Sequence, residues 1–227
     1  MKKQIKISID IAMALLLPML MAYSLIGEKF HEVVGTVMLV LFIVHHTLNR
    51  KWYTALFKGT YNAQRAFQTV LDMLLVVFMV LQPVSGILLS KHLYAFLPVL
   101  PVSATARKIH MLLAYWGYAL LSVHAGTHLI VLFEKMKRSS KKAWAAAMTV
   151  MLLVSAYGIC AFVKRGFADY MFMRAAFSFF DYSEARICFI MDYLAVMAGF
   201  AFLGMFASHA LSSMSIRERN RIGTGPG

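Results

Sequence analysis

Six long apolar runs with very few charges recur along this chain, and no other feature constrains its fold as tightly. Around 67–89, for example, Asp72 is the one charged residue. Runs of this length cross a hydrocarbon layer only as helices, because lipid offers no partner for backbone N–H and C=O groups. The chain is 60% hydrophobic with a mean hydropathy of +0.68, where a water-soluble domain is nearer half apolar. The expected fold class is therefore all-α, a polytopic membrane bundle of about six transmembrane helices.

The runs place the helices near 5–26, 31–48, 67–89, 107–133, 144–163 and 187–211. Pro18 is a candidate kink in the first. That first run is long enough to span and lacks a small-residue cleavage site, so it reads as a span and not a cleaved leader. We expect one membrane domain over 1–227, with four helices in 1–133 and two more in 134–227. Pro98 and Pro101 lie in the loop after the third helix. The segment 164–186, mixing aromatics and charges, is expected to lie along the membrane surface as an amphipathic helix.

The formal charge of +13 follows the loops. Lys and Arg number 15 on the side of the N-terminus, the loops near 50–65 and 135–142 and the tail with Arg217, Arg219 and Arg221, against 8 on the other side. The positive-inside rule then puts both termini in the cytoplasm, with the protein in a membrane among its lipids. No basic stripe interleaved with stacking aromatics is present, so nucleic acid is not an expected partner.

Within this frame the histidines stand out, since imidazoles inside a membrane are functional candidates. FHEVVGTVMLVLFIVHHTLNRKWY carries His31, His45 and His46, and KIHMLLAYWGYALLSVHAGTHLIVLF carries His110, His124 and His128. His31 and His45 are 14 residues apart, as are His110 and His124. Fourteen residues bring a helix within roughly 40° of four full turns and advance it about 21 Å. Each pair thus shares one helix face, one member near each membrane surface. The charge-derived topology, which ignored histidine, puts His31 level with His110 and His45 level with His124.

Two such helices suit two non-covalent b-type haems, each iron held by one histidine from the second helix and one from the fourth. Bis-histidine ligation leaves no open site for substrate. The metal ligands are read as His31, His110, His45 and His124. His128 shares the phase of His110 but lies about 6 Å deeper than His124 and is its rival. His46, rotated by about 100° from His45, ranks below it as a ligand. His92 reads as a solvated loop residue and His209 as an interfacial one. Arg107, Lys108 and Lys29 on one side and Arg50 and Lys51 on the other are candidate partners for haem propionates. Gly35 and Gly117 are candidates for close approach of a porphyrin or a helix. Asp72 and Asp192 lie near helix ends, Asp72 as a candidate to protonate a quinone such as menaquinone. Cys160 and Cys188 lack CxxC spacing, so neither a thiolate metal site nor an attached c-type haem is indicated, and their pairing is open.

HEVVGTVMLVLFIVHHTLN followed by Trp52, and IHMLLAYWGYALLSVHAGTH, resemble the flavinylation-associated cytochrome family of bacterial membrane proteins. The similarity continues through YGICAFVKRGFADYMF and FSFFDYSEARICFIMDYLAVM, hence nearly the whole chain. Cytochrome b and ferric-reductase-like membrane domains share the histidine spacing, while FFDY and DYLAVM narrow the match. The resemblance implies an electron conduit working with covalently flavinylated partners outside the cytoplasm. No FMN-binding domain is identified in these residues, so that partner is expected to be a separate protein. Its expected docking surface is 164–186, with Phe167, Tyr170, Phe172, Phe179, Phe180 and Tyr182, together with the loop 90–106. Two other classes stay open: a quinol-oxidising or metal-reducing oxidoreductase subunit, and a transporter whose histidines relay protons.

Overall fold

The computed structural model describes residues 2–97, 104–175 and 180–223, with side chains over 3–97, 104–175 and 180–215. Helices follow in the order α1 (Lys2–Met21), α2 (Tyr23–Ile26), α3 (Glu28–Leu48), α4 (Lys51–Ala55), α5 (Ala63–Leu89), α6 (Ala104–Ser139), α7 (Lys141–Lys164), α8 (Phe167–Met171) and α9 (Arg186–Gly223). Six of them, α1, α3, α5, α6, α7 and α9, are long and apolar enough to cross a membrane. Val131, Ile159 and Val163 are each at least 70% exposed, on outward faces that suit lipid and not water. The chain is a multi-pass helical membrane protein.

The near face carries the start of α1, the α3–α5 and α6–α7 links and the end of α9. There Lys6 of α1 donates to Asn49 beyond α3 (2.8 Å), and Gln64 at the start of α5 donates to Ser208 of α9 (3.2 Å). The far face carries α2, the α5–α6 link and α8. Local chemistry sets the ends. Asn62 accepts from the Arg65 amide (2.8 Å) and Ser140 from the Ala143 amide (3.2 Å), satisfying N-terminal donors of α5 and α7. Helix α1 runs through Pro18, and its break falls four residues later at Ala22 (φ −86°, ψ 32°). Gly27 then turns the chain into α3 at φ +81°, ψ 159°, a region open essentially to glycine alone.

Helices α1, α3, α5 and α6 surround the histidines, while α9 packs along α6 and α7. Glycines allow that second packing. A Cβ on Gly126 would lie 1.9 Å from the Ala201 carbonyl oxygen, on Gly204 2.0 Å from that of Val123, and on Gly158 2.3 Å from that of Ala195. Such contacts draw helix backbones together where lipid supplies little hydrophobic drive. By contrast Gly35 and Gly117, the sequence candidates for close approach, meet no backbone: a Cβ on Gly35 touches only a Leu20 methyl at 3.9 Å, and on Gly117 nothing within 4 Å. Both face a cavity instead.

The expected surface helix over 164–186 is not found in the described residues. Helix α8 has only five residues, and Phe167 and Tyr170 turn into the core. Tyr170 stacks on Tyr115 at 4.5 Å, Phe167 meets Tyr115 edge-on at 4.8 Å, and Trp116 donates to the Met171 carbonyl (2.9 Å). Burying these rings removes a large apolar area and gives the Trp116 N–H a partner, which lying along a membrane would not. Phe172 and Tyr182 remain exposed, and Phe179, Pro98 and Pro101 lie outside the described residues. Asp192, fully buried at the far end of α9, accepts from Tyr157, from Lys164 Nζ (2.9 Å) and from Arg165 Nε (2.8 Å). Glu184 binds the same two cations, so Asp192 belongs to an ion-pair network joining α7 to α9.

A candidate two-level histidine site

On the far-face level, α3 and α6 bring His31 and His110 together with ring centroids 6.3 Å apart and planes at 73°. They border a cavity of about 510 Å³ enclosed by α1, α3, α5 and α6, within the usual range for cofactor sites. Its walls are mainly apolar, among them Leu20, Met38, Met79 and Leu121, and Gly35, Gly86 and Gly117 face it without side chains. His110 Nδ1 donates to Ser85 Oγ (2.9 Å), which itself donates to the Gln82 carbonyl (2.8 Å), one turn after Met79 on α5. That leaves His110 Nε2 as the lone-pair nitrogen, which accepts from the Gln82 amide (3.3 Å), a bond that a metal at Nε2 would replace. His31 Nδ1 and Gln82 Oε1 are buried without hydrogen-bond partners.

The mouth of this cavity is clamped. The Glu32 carboxylate accepts from Ser90 Oγ (2.7 Å) and from the amides of Lys91 (2.9 Å), His92 (3.3 Å) and Leu93 (2.6 Å). Thr36 bonds Tyr94 (2.9 Å) and Lys91 pairs with Glu28 (2.8 Å). The Glu28 carboxylate and its hydrogen bond hold the Lys91 ammonium above its ordinary pKa. Ligand atoms of Glu28, Glu32 and His92 lie within 4.8 Å of one another, and with both Glu32 oxygens taken by loop donors and Glu28 paired with Lys91 the group acts as a loop clamp. His92 is exposed, as expected.

On the near-face level each expected ligand rests on a carboxylate. His45 Nδ1 donates to Asp10 of α1 (2.7 Å), and His124 Nδ1 lies 2.9 Å from the Asp72 carboxylate of α5. Asp72 is thus the partner of His124, a more definite role than the quinone contact expected from its position. The Asn49 amide lies 3.5 Å from His45 Nε2. His128 meets the His124 ring edge-on at 4.8 Å, and His46 bonds the Tyr53 hydroxyl (2.6 Å) and packs on Phe42 at 4.3 Å. Asp10, His45, His46, Asp72, His124 and His128 act on one another electrostatically, forming one polar cluster between α1, α3, α5 and α6.

Of the expected propionate partners, Arg107 lines the cavity, whereas Lys29 and Lys108 are not among its described walls. Arg50 and Lys51 are exposed at the near face, as is His209. Cys160 and Cys188 are free and exposed, so the open question of their pairing closes as unpaired. Sequence reasoning passed over Asp10, Glu32, Gln82 and Ser85. An acid inside an apolar run was the signal for Asp10 and Glu32; Ser85 and Gln82 carry none.

The residues fit a bis-histidine haem at the far-face level. Two imidazoles bound to one metal at about 2.0–2.1 Å each put their ring centroids roughly 6 Å apart, close to the separation of His31 and His110. The two orphaned polar atoms, the three glycines and the apolar walls fit a bulky amphiphilic guest. At the near-face level the fit lies in the donor chemistry, since metal-binding histidines characteristically give their other N–H to a carboxylate. Fold and site define a six-span helical membrane protein with imidazoles gathered at two depths. Compared with protein-family models, curated proteins and solved structures, the chain matches none.

Proposed function

We propose that this chain is a b-type cytochrome with two non-covalent haems that carries electrons across a bacterial cytoplasmic membrane. Electrons enter from a quinol such as menaquinol or a cytoplasmic donor and leave to a covalently flavinylated protein outside, with the near face and both termini cytoplasmic. The observation carrying this reading is the paired placement of His31 with His110, and of His45 and His124 on carboxylates, at two depths about 21 Å apart. The excess of Lys and Arg on the near face supports the orientation, and the sequence resemblance supports the flavinylated partner.

Bound haem supplies reversible one-electron chemistry. The chain's residues hold and shape its surroundings. Ser85 fixes the His110 tautomer and Asp10 that of His45, while Asp72 sets a negative charge 2.9 Å from His124 Nδ1. Arg107 offers a cation to the carboxylates of a porphyrin edge. The apolar walls exclude water, and the Glu32 clamp closes the far end. The near-face polar cluster also favours a second reading, a proton-relay transporter, whose purified protein would be colourless. A pyridine haemochrome assay decides between them: two haems per chain are expected, and a well-folded preparation without haem overturns the cytochrome. Sealed vesicles reduced from the near face should then reduce a flavoprotein on the far side, and His31→Ala or His45→Ala should stop that transfer.

A further inference from the structure

We infer that the partners of the imidazole Nδ1 atoms set the two levels at different reduction potentials, the near-face level lower, so that electrons run downhill from the near face to the far face. This rests on the haem reading above. Both near-face rings have a carboxylate at Nδ1: His45 donates to Asp10 (2.7 Å), and His124 Nδ1 lies 2.9 Å from Asp72. At the far-face level His110 donates to a neutral hydroxyl, Ser85 (2.9 Å), and His31 has no carboxylate hydrogen bond among the described residues, with the Leu20 backbone as its neutral partner. A carboxylate on Nδ1 makes the opposite nitrogen a more basic ligand and adds a negative charge close by. Both effects favour the oxidised, more positive state of a metal held there. A neutral hydroxyl or backbone carbonyl contributes far less.

The neighbouring charges act both ways. Arg107 lines the far-face cavity and Glu28 there pairs with Lys91, whereas Glu32, held by the loop amides beside His31, keeps its negative charge and offsets the difference in part. At the near-face level Lys6, one turn from Asp10 on α1, opposes Asp10 in part. The side chain of Asp10 is also 51% exposed against 23% for Asp72, so Asp10 is the more screened of the two. Asp72 therefore acts the more strongly through its charge, while Asp10 positions His45 through its hydrogen bond. One electron, supplied by a quinol or a reduced flavin at the near face, passes to the far-face level and on to an oxidised flavin.

The test is an optical redox titration of the purified protein, with haem content measured for each variant. Wild type should show two resolved midpoints, and His45→Ala should remove the lower one. Asp72→Asn should raise the lower midpoint and leave the upper in place, and Asp10→Asn should raise it by less. Ser85→Asp, which brings a carboxylate to His110, should lower the upper midpoint. If both Asp→Asn variants keep two haems and unmoved midpoints, or if His31→Ala removes the lower midpoint, the inference fails. Should the Asp→Asn variants not fold, an upper midpoint that Ser85→Asp leaves unmoved or raises overturns it. Wild type without haem overturns the cytochrome reading itself, a different result from two haems that ignore their carboxylates.

Discussion

His124 Nδ1 of α6 lies 2.9 Å from the Asp72 carboxylate of α5. The contact sets a negative charge beside Nδ1, with Nε2 on the opposite side of the ring. It also separates His124 from its rival: His128 touches the His124 ring at 4.8 Å and has no carboxylate contact of this kind among the described residues.

Ligand assignment follows from those partners. His31→Ala and His110→Ala should each remove one haem, leaving about one per chain on the haem reading, and so should His45→Ala and His124→Ala. His46→Ala and His128→Ala should keep two. Haem-to-protein ratios check this, and loss of a haem in His128→Ala with retention in His124→Ala would reverse the choice between them.

The Glu32 clamp makes a separate prediction. Glu32→Ala leaves Ser90 and the Lys91, His92 and Leu93 amides without their acceptor. Bonds to charged groups contribute about 1.5–3 kcal/mol each when buried and less in this exposed loop, so a loss on the order of 2 kcal/mol in local stability is expected. Hydrogen exchange at those three amides should speed up; exchange as slow as in wild type would show that the loop is held by something else.

Glycine substitutions should sort by place. Gly204→Ala and Gly126→Ala force a Cβ to about the 2 Å contacts found with backbone oxygens, so α6 and α9 must part and thermal stability should fall markedly. Gly117→Ala has open space and should fold like wild type. A Gly204→Ala protein that melts with wild type would contradict the close α6–α9 packing.

Acid sensitivity is expected at the α7–α9 network. The Lys164 ammonium, followed by Arg165, holds the Glu184 carboxyl below its usual 4.5. A pKa lower in the folded than in the unfolded chain gives stability above the unfolded value, lost as pH falls through the folded one. Thermal stability should therefore drop below about pH 4.5 more steeply in wild type than in Glu184→Gln. Parallel pH profiles for the two proteins would remove Glu184 from the network. Asp192→Asn, which leaves Lys164 and Arg165 only Glu184 as counter-charge among the described residues, should lower thermal stability at neutral pH.

The six spans and the matched depths of the histidines were legible in the sequence. Lipid forces every long apolar run into a helix, and a helix fixes the angle and rise between residues of one run, so 14-residue spacing carries directly into three dimensions. What each imidazole touches was decided only by the tertiary structure. Asp10 and His45 lie 35 positions apart, Ser85 and His110 25, and Glu32 and Ser90 58, and each contact depends on how separate helices rotate and dock. The inward turn of Phe167 and Tyr170 has the same origin: their composition suits an interface, but the rings of α6 and α9 offered them a better partner than lipid. Periodicity acts within one helix, whereas hydrogen-bond partners and close glycine contacts belong to pairs of helices, whose rotations no single run records.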